Sequence, residues 1–372
     1  MSRLEYLAAG AVLRLLGALF GLLPVRRRVV LATARGTRLE GNLAYIHDAL
    51  RRLHPEIRPV LLLEPYGYGL RAKLGYLLRL VRGMYYLRTS SLFFVDNAYL
   101  PIHAAPHRPQ TTVVQVWHAV GALKRFGLDT AQPPAEPERT FLHRHYDNVI
   151  VSSEATREHV ARALRTPLEG VLALGTPRTD FFFDDRAMAA ARERLLVAYP
   201  ELRDRRVVLY APTFRGRGRA RWAAAGLDGR QLRTALPDEF ALVLKSHPNL
   251  DPALVSEDGF DLVVDPALEI NELLALADIL VTDYSSSIFE WALLRRPLVL
   301  LVADLDEYER EPGLYVDYRR AMIGTQVTDT DGVAAAVLDG RFDLSDYDAF
   351  IERHLGACDG SASERLVRHV LG

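Results

Sequence analysis

A run of three serines at the start of one predicted helix is the segment with the clearest chemical capability. ILVTDYSSSIFEWALL, from residue 279, predicts a strand, a turn at Asp283 and a helix that begins around Ser285, Ser286 and Ser287. Helix starts carry unpaired backbone N–H groups and partial positive charge, and serine hydroxyls add donors with little bulk. The pattern indicates a site for a phosphate or diphosphate. The alternative is that the serines only cap the helix.

A histidine follows another predicted strand. In QVWHAVGALKRFG, His118 comes directly after the strand predicted over residues 112–117. Histidine can accept a proton near neutral pH, and general-base catalysis of this kind contributes roughly 10²- to 10⁴-fold. His118 is therefore a candidate base for a hydroxyl nucleophile, and a structural histidine that bonds a backbone carbonyl is the alternative. Lys124 could attract an acceptor phosphate or simply be solvated.

Basic residues follow two more predicted strands in the second half of the chain. VVLYAPTFRGR places Thr213 and Arg215 after one strand, and LVLKSHPNL places Lys245, Ser246 and His247 after another. Arginine's planar fork suits phosphate oxygens, lysine adds a point charge, and histidine can donate to a bridging or leaving oxygen. Basic residues at strand ends usually just keep loops soluble. Their shared position beside the serine run nevertheless favours one anion site.

Carboxylates lie near this predicted site. Glu290 is inside the helix that follows the serines and could bind the two hydroxyls of a nucleotide ribose, or could be an ordinary exposed glutamate. The acidic loop Asp304–Glu311, DLDEYERE, could reach a polyol or sugar hydroxyl, or could only be solvated. The sequence leaves both alternatives open.

The elements that must position these residues alternate as in an open parallel α/β sheet. Predicted strands are residues 29–32, 60–63, 92–95, 112–117, 149–152, 171–174, 207–210, 241–244, 262–264, 279–282 and 298–302. At 372 residues the chain exceeds the usual limit for one core, and a polar break precedes residue 207. We predict a membrane-associating segment (1–28), a first Rossmann-like domain (29–186), a second (187–345) and C-terminal helices that cross back to the first (346–372). Ligands of such sheets collect beyond the carboxyl ends of the strands, so we expect the substrates in the cleft between the domains.

The N-terminal segment has the character of a membrane-surface helix. Leu4–Leu23 is almost wholly apolar, is interrupted by Glu5 and Arg14, and is followed by arginines at 26–28. The basic cluster lies on the wrong side for a cleaved signal peptide, and the internal charges are costly in a bilayer core. We therefore predict an interfacial helix at anionic headgroups, ahead of a spanning helix and an ordinary packed helix. Arg71–Arg88 repeats the pattern, with an amphipathic helix that covers a sheet as the alternative. Residues 215–221, RGRGRAR, are expected to form a mobile basic loop.

The composition excludes several classes of protein. A hydrophobic fraction of 49% and a charged fraction of 25% are globular values, and a net charge of −1 argues against a dedicated nucleic-acid binder. The single cysteine, Cys358, allows no internal disulfide, no cysteine-based zinc site and no iron–sulfur cluster. His143 and His145 lie in a charged segment, and the sequence contains no HExxH, so we predict no metal bound by protein side chains.

Several motifs in order resemble the CDP-glycerol glycerophosphotransferases of wall teichoic acid synthesis. The resemblance covers about Tyr85–Tyr318 and includes YYLRTSSLFFVDN, QVWHAVGALKRFG, LGTPRTD, YAPTFR, KSHP, VTDYSSSIFEWALLRRPLVLL, DLDEYERE and GLYVDY. It implies a GT-B fold of two Rossmann-like domains at the cytoplasmic face of the membrane. It also implies transfer of glycerol phosphate, or a related polyol phosphate, from CDP-glycerol to a hydroxyl of a lipid-linked saccharide acceptor, with release of CMP.

Position by position, the resemblance implies roles for residues already singled out. His118 would be the general base, and His247 would assist the donor phosphates. The expected donor site further contains Thr213, Arg215, Lys245, Ser246, Asp283, Ser285, Ser286, Ser287 and Glu290, and the acceptor side contains Lys124 and Arg178. The sequence departs from the family pattern at Ala119-Val120, which replace the usual Gly-Thr, at KSHP, which replaces an arginine-containing form, and at Thr179, where asparagine is frequent. The length resembles that of the primases.

We therefore expect a peripheral membrane enzyme that binds a CDP-polyol, a polyprenyl-diphosphate-linked saccharide and an anionic membrane surface, and no nucleic acid. No tightly bound cofactor is expected, and the sequence does not require a divalent metal. The alternatives are a GT-B glycosyltransferase or nucleotide-sugar epimerase, and a catalytically inactive membrane-bound scaffold. The sequence does not decide between glycerol and ribitol, between primase and polymerase, or between a monomer and a homo-oligomer.

Overall fold

Two parallel β-sheets form the framework of the protein, one in each of two compact units. The computed structural model describes residues 3–34, 36–63, 70–130, 136–217, 220–223, 226–247 and 255–372. Unit 1 comprises Met1–Asp180 and His354–Gly372, and unit 2 comprises Phe181–Arg353. The predicted α/β class with two Rossmann-like sheets is confirmed.

Unit 1 is built on a six-stranded sheet in the order β2-β1-β3-β4-β5-β6, in which every pairing is parallel. The strands are β1 (Arg26–Thr33), β2 (Val60–Leu63), β3 (Ser90–Val95), β4 (Thr112–Gln115), β5 (Asn148–Ile150) and β6 (Val171–Leu172). Helix α1 (Arg3–Phe20) precedes β1, and the helices between the strands are α2 (Gly41–Leu53), α3 (Leu70–Thr89), α4 (Leu100–Ala104), α5 (Glu136–Phe141) and α6 (Arg157–Ala163).

Unit 2 has a second six-stranded parallel sheet in the order β11-β10-β7-β12-β13-β14. Its strands are β7 (Arg206–Tyr210), β10 (Phe240–Leu244), β11 (Leu262–Val263), β12 (Ile279–Thr282), β13 (Leu298–Leu301) and β14 (Thr325–Val327), and a separate hairpin joins β8 (Phe214–Arg217) to β9 (Ala220–Ala223). The helices are α7 (Asp185–Ala198), α8 (Gly229–Ala235), α9 (Ile270–Leu276), α10 (Ser287–Leu294), α11 (Leu305–Arg310), α12 (Tyr318–Ala321) and α13 (Thr330–Asp339). Successive strands are added on one side of β7 as far as β11 and then on its other side from β12 onward, so the strand order reverses between β7 and β12. Doubly wound sheets bind ligands at such a switch point, beyond the carboxyl ends of the strands.

The chain then returns to unit 1 through α14 (Tyr347–Leu355) and α15 (Ala362–Leu371). Alternate strand residues divide the core of unit 1 between the two faces of the sheet. Val30 and Phe93 pack with Leu13 of α1 and Met84 of α3, whereas Leu31 packs on the opposite face with residues of α2 and α15. Because both faces are covered, the strands read as nearly continuous apolar runs.

Every strand predicted from the sequence is present, with small shifts at its ends. The largest shift concerns β1, which begins at Arg26 rather than at Val29. β4 ends at Gln115 rather than at Trp117, which has a left-handed backbone with a φ of 49°. The prediction of a mobile loop over residues 215–221 is wrong for the described part, because Phe214–Arg217 pairs antiparallel with Ala220–Ala223. Gly218 and Arg219 lie outside the described residues.

The N-terminal helix α1 has one packed side and one exposed side, both apolar. Tyr6, Gly10, Leu13 and Gly17 are buried, and Gly17 lets α1 approach Met84 of α3 closely. The opposite side exposes a stripe of large apolar residues at Leu4, Leu7, Val12, Leu15 and Leu19. The helix predicted over residues 71–87 is α3; the side chains of Arg71 and Lys73 lie outside the described residues. Among the described residues, no helix combines the length and apolar character needed to cross a bilayer.

Candidate functional site

One charged network ties together the chain segments that follow β7, β12 and β13. Arg215 Nε and Nη2 donate to the two carboxylate oxygens of Asp304 at 2.6 and 3.0 Å. Nη2 also lies 2.9 Å from Asp283 Oδ2, and Nη1 donates to Thr213 Oγ1 at 3.0 Å. Asp283 accepts hydrogen bonds from the backbone N–H and the hydroxyl of Thr213 at 2.9 and 2.8 Å. The network therefore lies at the switch point between β7 and β12.

Arg215 is largely buried within this network. Its side chain is only 10% exposed, and the rings of Tyr284 and Tyr308 lie 5.1 and 4.7 Å from its guanidinium carbon. Burial opposes its charge, but Asp304 and Asp283 outweigh burial and raise the pKa of the guanidinium. Arg215 therefore connects the segments after β7, β12 and β13 through its ion pairs with Asp283 and Asp304. Its role as a donor-phosphate ligand stays a prediction.

Asp304 belongs to the same network, which neither alternative for the acidic loop anticipated. Tyr284 donates its hydroxyl to Asp304 Oδ1 at 3.0 Å, beside the two bonds from Arg215. Burial would raise the pKa of the Asp304 carboxyl, but the hydrogen bonds and charge of Arg215 bring it below its usual value. The carboxylate is thus a structural partner of Arg215, and the rest of the loop forms α11.

The serine run begins α10 as predicted, and part of it serves the helix itself. Ser285 Oγ accepts hydrogen bonds from the backbone N–H of Ser287 at 3.2 Å and from its hydroxyl at 2.8 Å. Ser285 and Ser286 are half-buried, whereas Ser287 is buried. Within the described part of the chain, the Ser286 side chain makes no capping hydrogen bond. The capping alternative therefore describes Ser285 and Ser287, and Ser286 keeps a hydroxyl beside the helix start.

Glu290 lies in the first turn of α10 and is fully buried, with 0% exposure. The alternative of an ordinary exposed glutamate is therefore wrong. A carboxylate placed this deeply needs polar or charged surroundings, because burial without them is costly.

Lys245, Ser246 and His247 follow β10, the neighbour of β7. Lys245 and Ser246 are buried, so they are not residues that merely keep a loop soluble. The Lys245 ammonium donates to the carbonyl oxygen of Pro266 at 2.6 Å, and burial lowers its pKa to about 8. The His247 ring lies 4.7 Å from the ring of Phe214, which stands between Thr213 and Arg215 in sequence. These residues therefore adjoin the network at the switch point.

In unit 1, His118 is half-buried immediately after a constrained turn. Trp117, which precedes it, has a φ of 49°, and the two rings lie 4.5 Å apart. The Trp117 N–H donates to Gln115 Oε1 at 2.9 Å, and its carbonyl accepts from Asn42 Nδ2 at 2.9 Å. Two side chains thus hold the backbone of the residue that leads into the candidate base.

The same asparagine reaches the predicted acceptor side. The backbone N–H of Arg178 donates to Asn42 Oδ1 at 3.0 Å, so the structure brings the segments of His118 and Arg178 together. Lys124 is half-buried in the loop after His118. Thr179 is fully buried and donates its hydroxyl to the carbonyl of Thr176 at 2.7 Å. Sequence reasoning missed Asn42, because its hydrogen-bond partners are distant along the chain.

His143 belongs to a buried aromatic cluster near Trp117. The Tyr146 hydroxyl lies 3.4 Å from His103 Nε2 and 3.5 Å from His143 Nδ1. Burial lowers the pKa of His103 to about 3 and that of His143 to about 4. Both imidazoles are therefore neutral at physiological pH. In the described ranges, no group of three or more His, Cys, Asp or Glu side chains is arranged to hold a metal ion.

Two Rossmann-like units with polar groups at the carboxyl ends of their strands define the GT-B class of architecture. The family model for CDP-Glycerol:Poly(glycerophosphate) glycerophosphotransferase matches residues 18–372, so the chain belongs to this family. The resemblance read from the motifs is thereby confirmed.

Curated relatives carry names from teichoic acid synthesis. The chain is 34% identical to the teichoic acid ribitol-phosphate primase of Bacillus spizizenii, over 96% of this chain and 93% of that protein. It is 35% identical to the teichoic acid poly(ribitol-phosphate) polymerase of the same organism, over 95% of this chain but only 57% of that protein. The teichoic acid glycerol-phosphate primase of Bacillus subtilis is 27% identical, over 79% of this chain and 76% of the relative.

The fold has a counterpart among solved structures. The wall teichoic acid polymerase TagF matches with a TM-score of 0.75 at 21% identity, over 99% of this chain and 96% of that chain. At this identity the likeness supports the fold alone.

Proposed function

We propose that the protein transfers a polyol phosphate from a CDP-polyol to a hydroxyl group of a lipid-linked saccharide and releases CMP. The observation that carries the proposal is the gathering of Thr213, Asp283, Lys245 and the serine run at the switch point of unit 2. Membership of the glycerophosphotransferase family supports the same reaction.

In this reaction the acceptor hydroxyl gives its proton to His118, and its oxygen attacks the β-phosphorus of the donor. The bond from that phosphorus to the bridging oxygen breaks, and CMP leaves with the bridging oxygen. Phosphoryl transfer depends mainly on positioning and on stabilising charge at the phosphate oxygens. We assign that stabilisation to Ser285, Ser286, Lys245 and His247, with Glu290 toward the ribose.

Arg215 keeps its predicted part in the proposed mechanism as a donor-phosphate ligand. Its ion pairs with Asp283 and Asp304 also connect the segments that form the phosphate site. The acceptor side would be formed by Lys124 and Arg178, of which Arg178 is fixed through its backbone by Asn42.

Ribitol is the polyol that the comparisons favour. Relatives named for ribitol phosphate are 34 and 35% identical to this chain, and the glycerol-phosphate primase is 27% identical. We therefore expect CDP-ribitol to be a better donor than CDP-glycerol.

The test measures CMP release and acceptor mass for CDP-ribitol, CDP-glycerol and UDP-N-acetylglucosamine, with a short-chain lipid-linked disaccharide as acceptor. His118→Ala should lower transfer by at least about 100-fold while donor affinity stays near wild type. His369→Ala, an exposed histidine in α15, is the matched control and should retain activity. No CMP from either CDP-polyol would overturn the proposal, as would turnover of the nucleotide sugar alone. Equal loss of transfer and donor affinity in His118→Ala would refute its role as base.

A membrane-docking surface is the second part of the proposal. In sequence, the exposed apolar stripe of α1 is followed by Arg26, Arg27 and Arg28, which line a cavity of about 320 Å³ together with Glu56, Ile57 and Arg58. Apolar side chains that enter the headgroup layer beside arginines are typical of interfacial helices.

Co-sedimentation with vesicles that contain anionic lipid tests this surface. Replacing Leu15 and Leu19 by serine should release the protein from the vesicles. Leu338→Ser, an equally polar change at an exposed leucine of α13 in unit 2, should not. Equal binding by all variants would contradict a docking role for α1.

A further inference from the structure

The residue before the candidate base has a backbone conformation that tryptophan rarely adopts. Trp117 has a φ of 49°, in the left-handed region where a Cβ atom crowds the backbone. Residues held in such conformations persist only where their surroundings over-determine them. The direction in which the chain leaves Trp117 sets the position of His118, so whatever holds Trp117 also holds the base.

Asn42 is the group that holds the carbonyl side of this turn. Its side chain is 2% exposed at the start of α2, and Nδ2 donates to the carbonyls of Val116 at 3.0 Å and Trp117 at 2.9 Å. Gln115 holds the other side by accepting the Trp117 N–H.

The other end of the same amide is also used. Asn42 Oδ1 accepts the backbone N–H of Arg178 at 3.0 Å. A carboxamide has two donors on one atom and an acceptor on the other, which this arrangement requires. Aspartate has no donor for the two carbonyls, and an alkyl side chain has neither function.

We propose that Asn42 is a positioning residue, which holds Trp117 in its left-handed conformation and thereby places His118 for proton transfer. Through the same amide it fixes the backbone of Arg178, so that the segments of His118 and Arg178 keep their positions relative to each other. The inference rests on the proposed function for its effect on rate, whereas its structural part concerns only unit 1.

Two variants test the amide of Asn42, and the first separates its donor end from its acceptor end. Asn42→Asp keeps an acceptor for Arg178 but sets a carboxylate oxygen against the carbonyls of Val116 and Trp117. Asn42→Ser is smaller and uncharged, and keeps the measurement available if the buried carboxylate prevents folding. Thr111→Val is the matched control, because Thr111 is also 2% exposed and donates to the carbonyl of Ser90 at 2.8 Å. Thr111 directly precedes β4, at the end opposite His118.

We expect kcat of either Asn42 variant to fall about 100-fold, as misplacing a catalytic group does. KM for the CDP-polyol should stay within about threefold, because the proposed donor groups lie in unit 2. Hydrogen exchange of the peptide 115–121 should accelerate at least about tenfold as the turn opens more often. Thr111→Val should change neither kcat nor exchange in this peptide.

A double-mutant cycle tests the reason for the effect. Glycine adopts positive φ without strain, so in Trp117→Gly the left-handed conformation no longer depends on the hydrogen bonds from Asn42. Although Trp117→Gly lowers kcat itself, the further effect of Asn42→Asp should shrink to about tenfold or less in this background. The same factor in both backgrounds would overturn the proposal, as would unchanged exchange in peptide 115–121. If the wild-type protein releases no CMP from any CDP-polyol, the proposed function fails, while hydrogen exchange still decides the structural role of Asn42.

Discussion

Asp304→Asn should weaken unit 2 much more than the same change at a neighbouring surface pair. Asp304 accepts two hydrogen bonds from Arg215 and one from Tyr284, at 2.6, 3.0 and 3.0 Å. Asparagine keeps one acceptor oxygen and turns an amide N–H₂ toward a donor, so at least one charge-assisted bond is lost. Such bonds contribute about 1.5–3 kcal/mol. Because the Asp304 side chain is 29% exposed and Arg215 keeps Asp283, we expect a loss of about 2 kcal/mol.

Asp306→Asn provides the comparison, because it removes the same charge two residues away. Asp306 pairs with Arg319 at 2.7 Å, but the two side chains are 82 and 57% exposed. Exposed pairs contribute about 0.2–1 kcal/mol, so the expected loss is about 0.5 kcal/mol.

Urea unfolding followed by tryptophan fluorescence measures both variants, and Trp291 is a fully buried reporter in unit 2. The loss in Asp304→Asn should lower the midpoint and leave the slope m unchanged. Equal destabilisation by the two variants would refute the argument that burial, and not distance, makes the Arg215–Asp304 pair strong.

Three further predictions concern pH and backbone geometry. Burial lowers the pKa of Lys245 to about 8, so its ammonium loses its charge above that pH. The Kd for the CDP-polyol, measured by calorimetry, should therefore rise between about pH 7 and 9. Lys245→Arg should abolish this rise, because arginine keeps its charge. Burial lowers the pKa of His143 to about 4, below its value of 6.5 in the unfolded chain, so stability is full above pH 6.5 and falls toward pH 4 by about 3 kcal/mol. Acid unfolding of His143→Asn should show a smaller slope, and an unchanged slope would contradict this account. Gly127 has a φ of 57° and faces the carbonyl oxygen of Ala163, so Gly127→Ala should lower the free energy of unfolding by more than about 2 kcal/mol. Gly340 has a φ of 63° but open space around it, so Gly340→Ala should lower it by only about 1 kcal/mol. Equal losses of melting temperature would refute the steric argument.

The sheets could be predicted because burial on both faces makes their strands continuous apolar runs. The strands Val60–Leu63 and Ile279–Thr282 have the bounds that the sequence predicts. The strand Thr325–Val327 was not predicted, because TQV contains one apolar residue and is only half-buried at the sheet edge. The hairpin of Phe214–Arg217 and Ala220–Ala223 was missed because each strand is only four residues long and arginine and glycine dominate the segment 215–221, which is typical of a loop.

Residues at strand ends could be predicted as site candidates, because parallel strands bring their carboxyl ends to one edge. Their partners could not, because these come from distant parts of the chain. Asp304 is 89 residues from Arg215, and Asn42 is 75 residues from Trp117 and 136 from Arg178. Periodicity reports which face of an element is buried, but it does not report which polar side chain meets which backbone group.

The return of α15 to unit 1 affects how the protein folds during translation. Leu366 and Val367 are fully buried in the same cluster as Leu43 and Ile46 of α2. Domains usually fold as they leave the ribosome, from the N-terminus onward. Here one face of the first sheet lacks Leu366 and Val367 until α15 has been synthesised, so unit 2 can finish folding before unit 1.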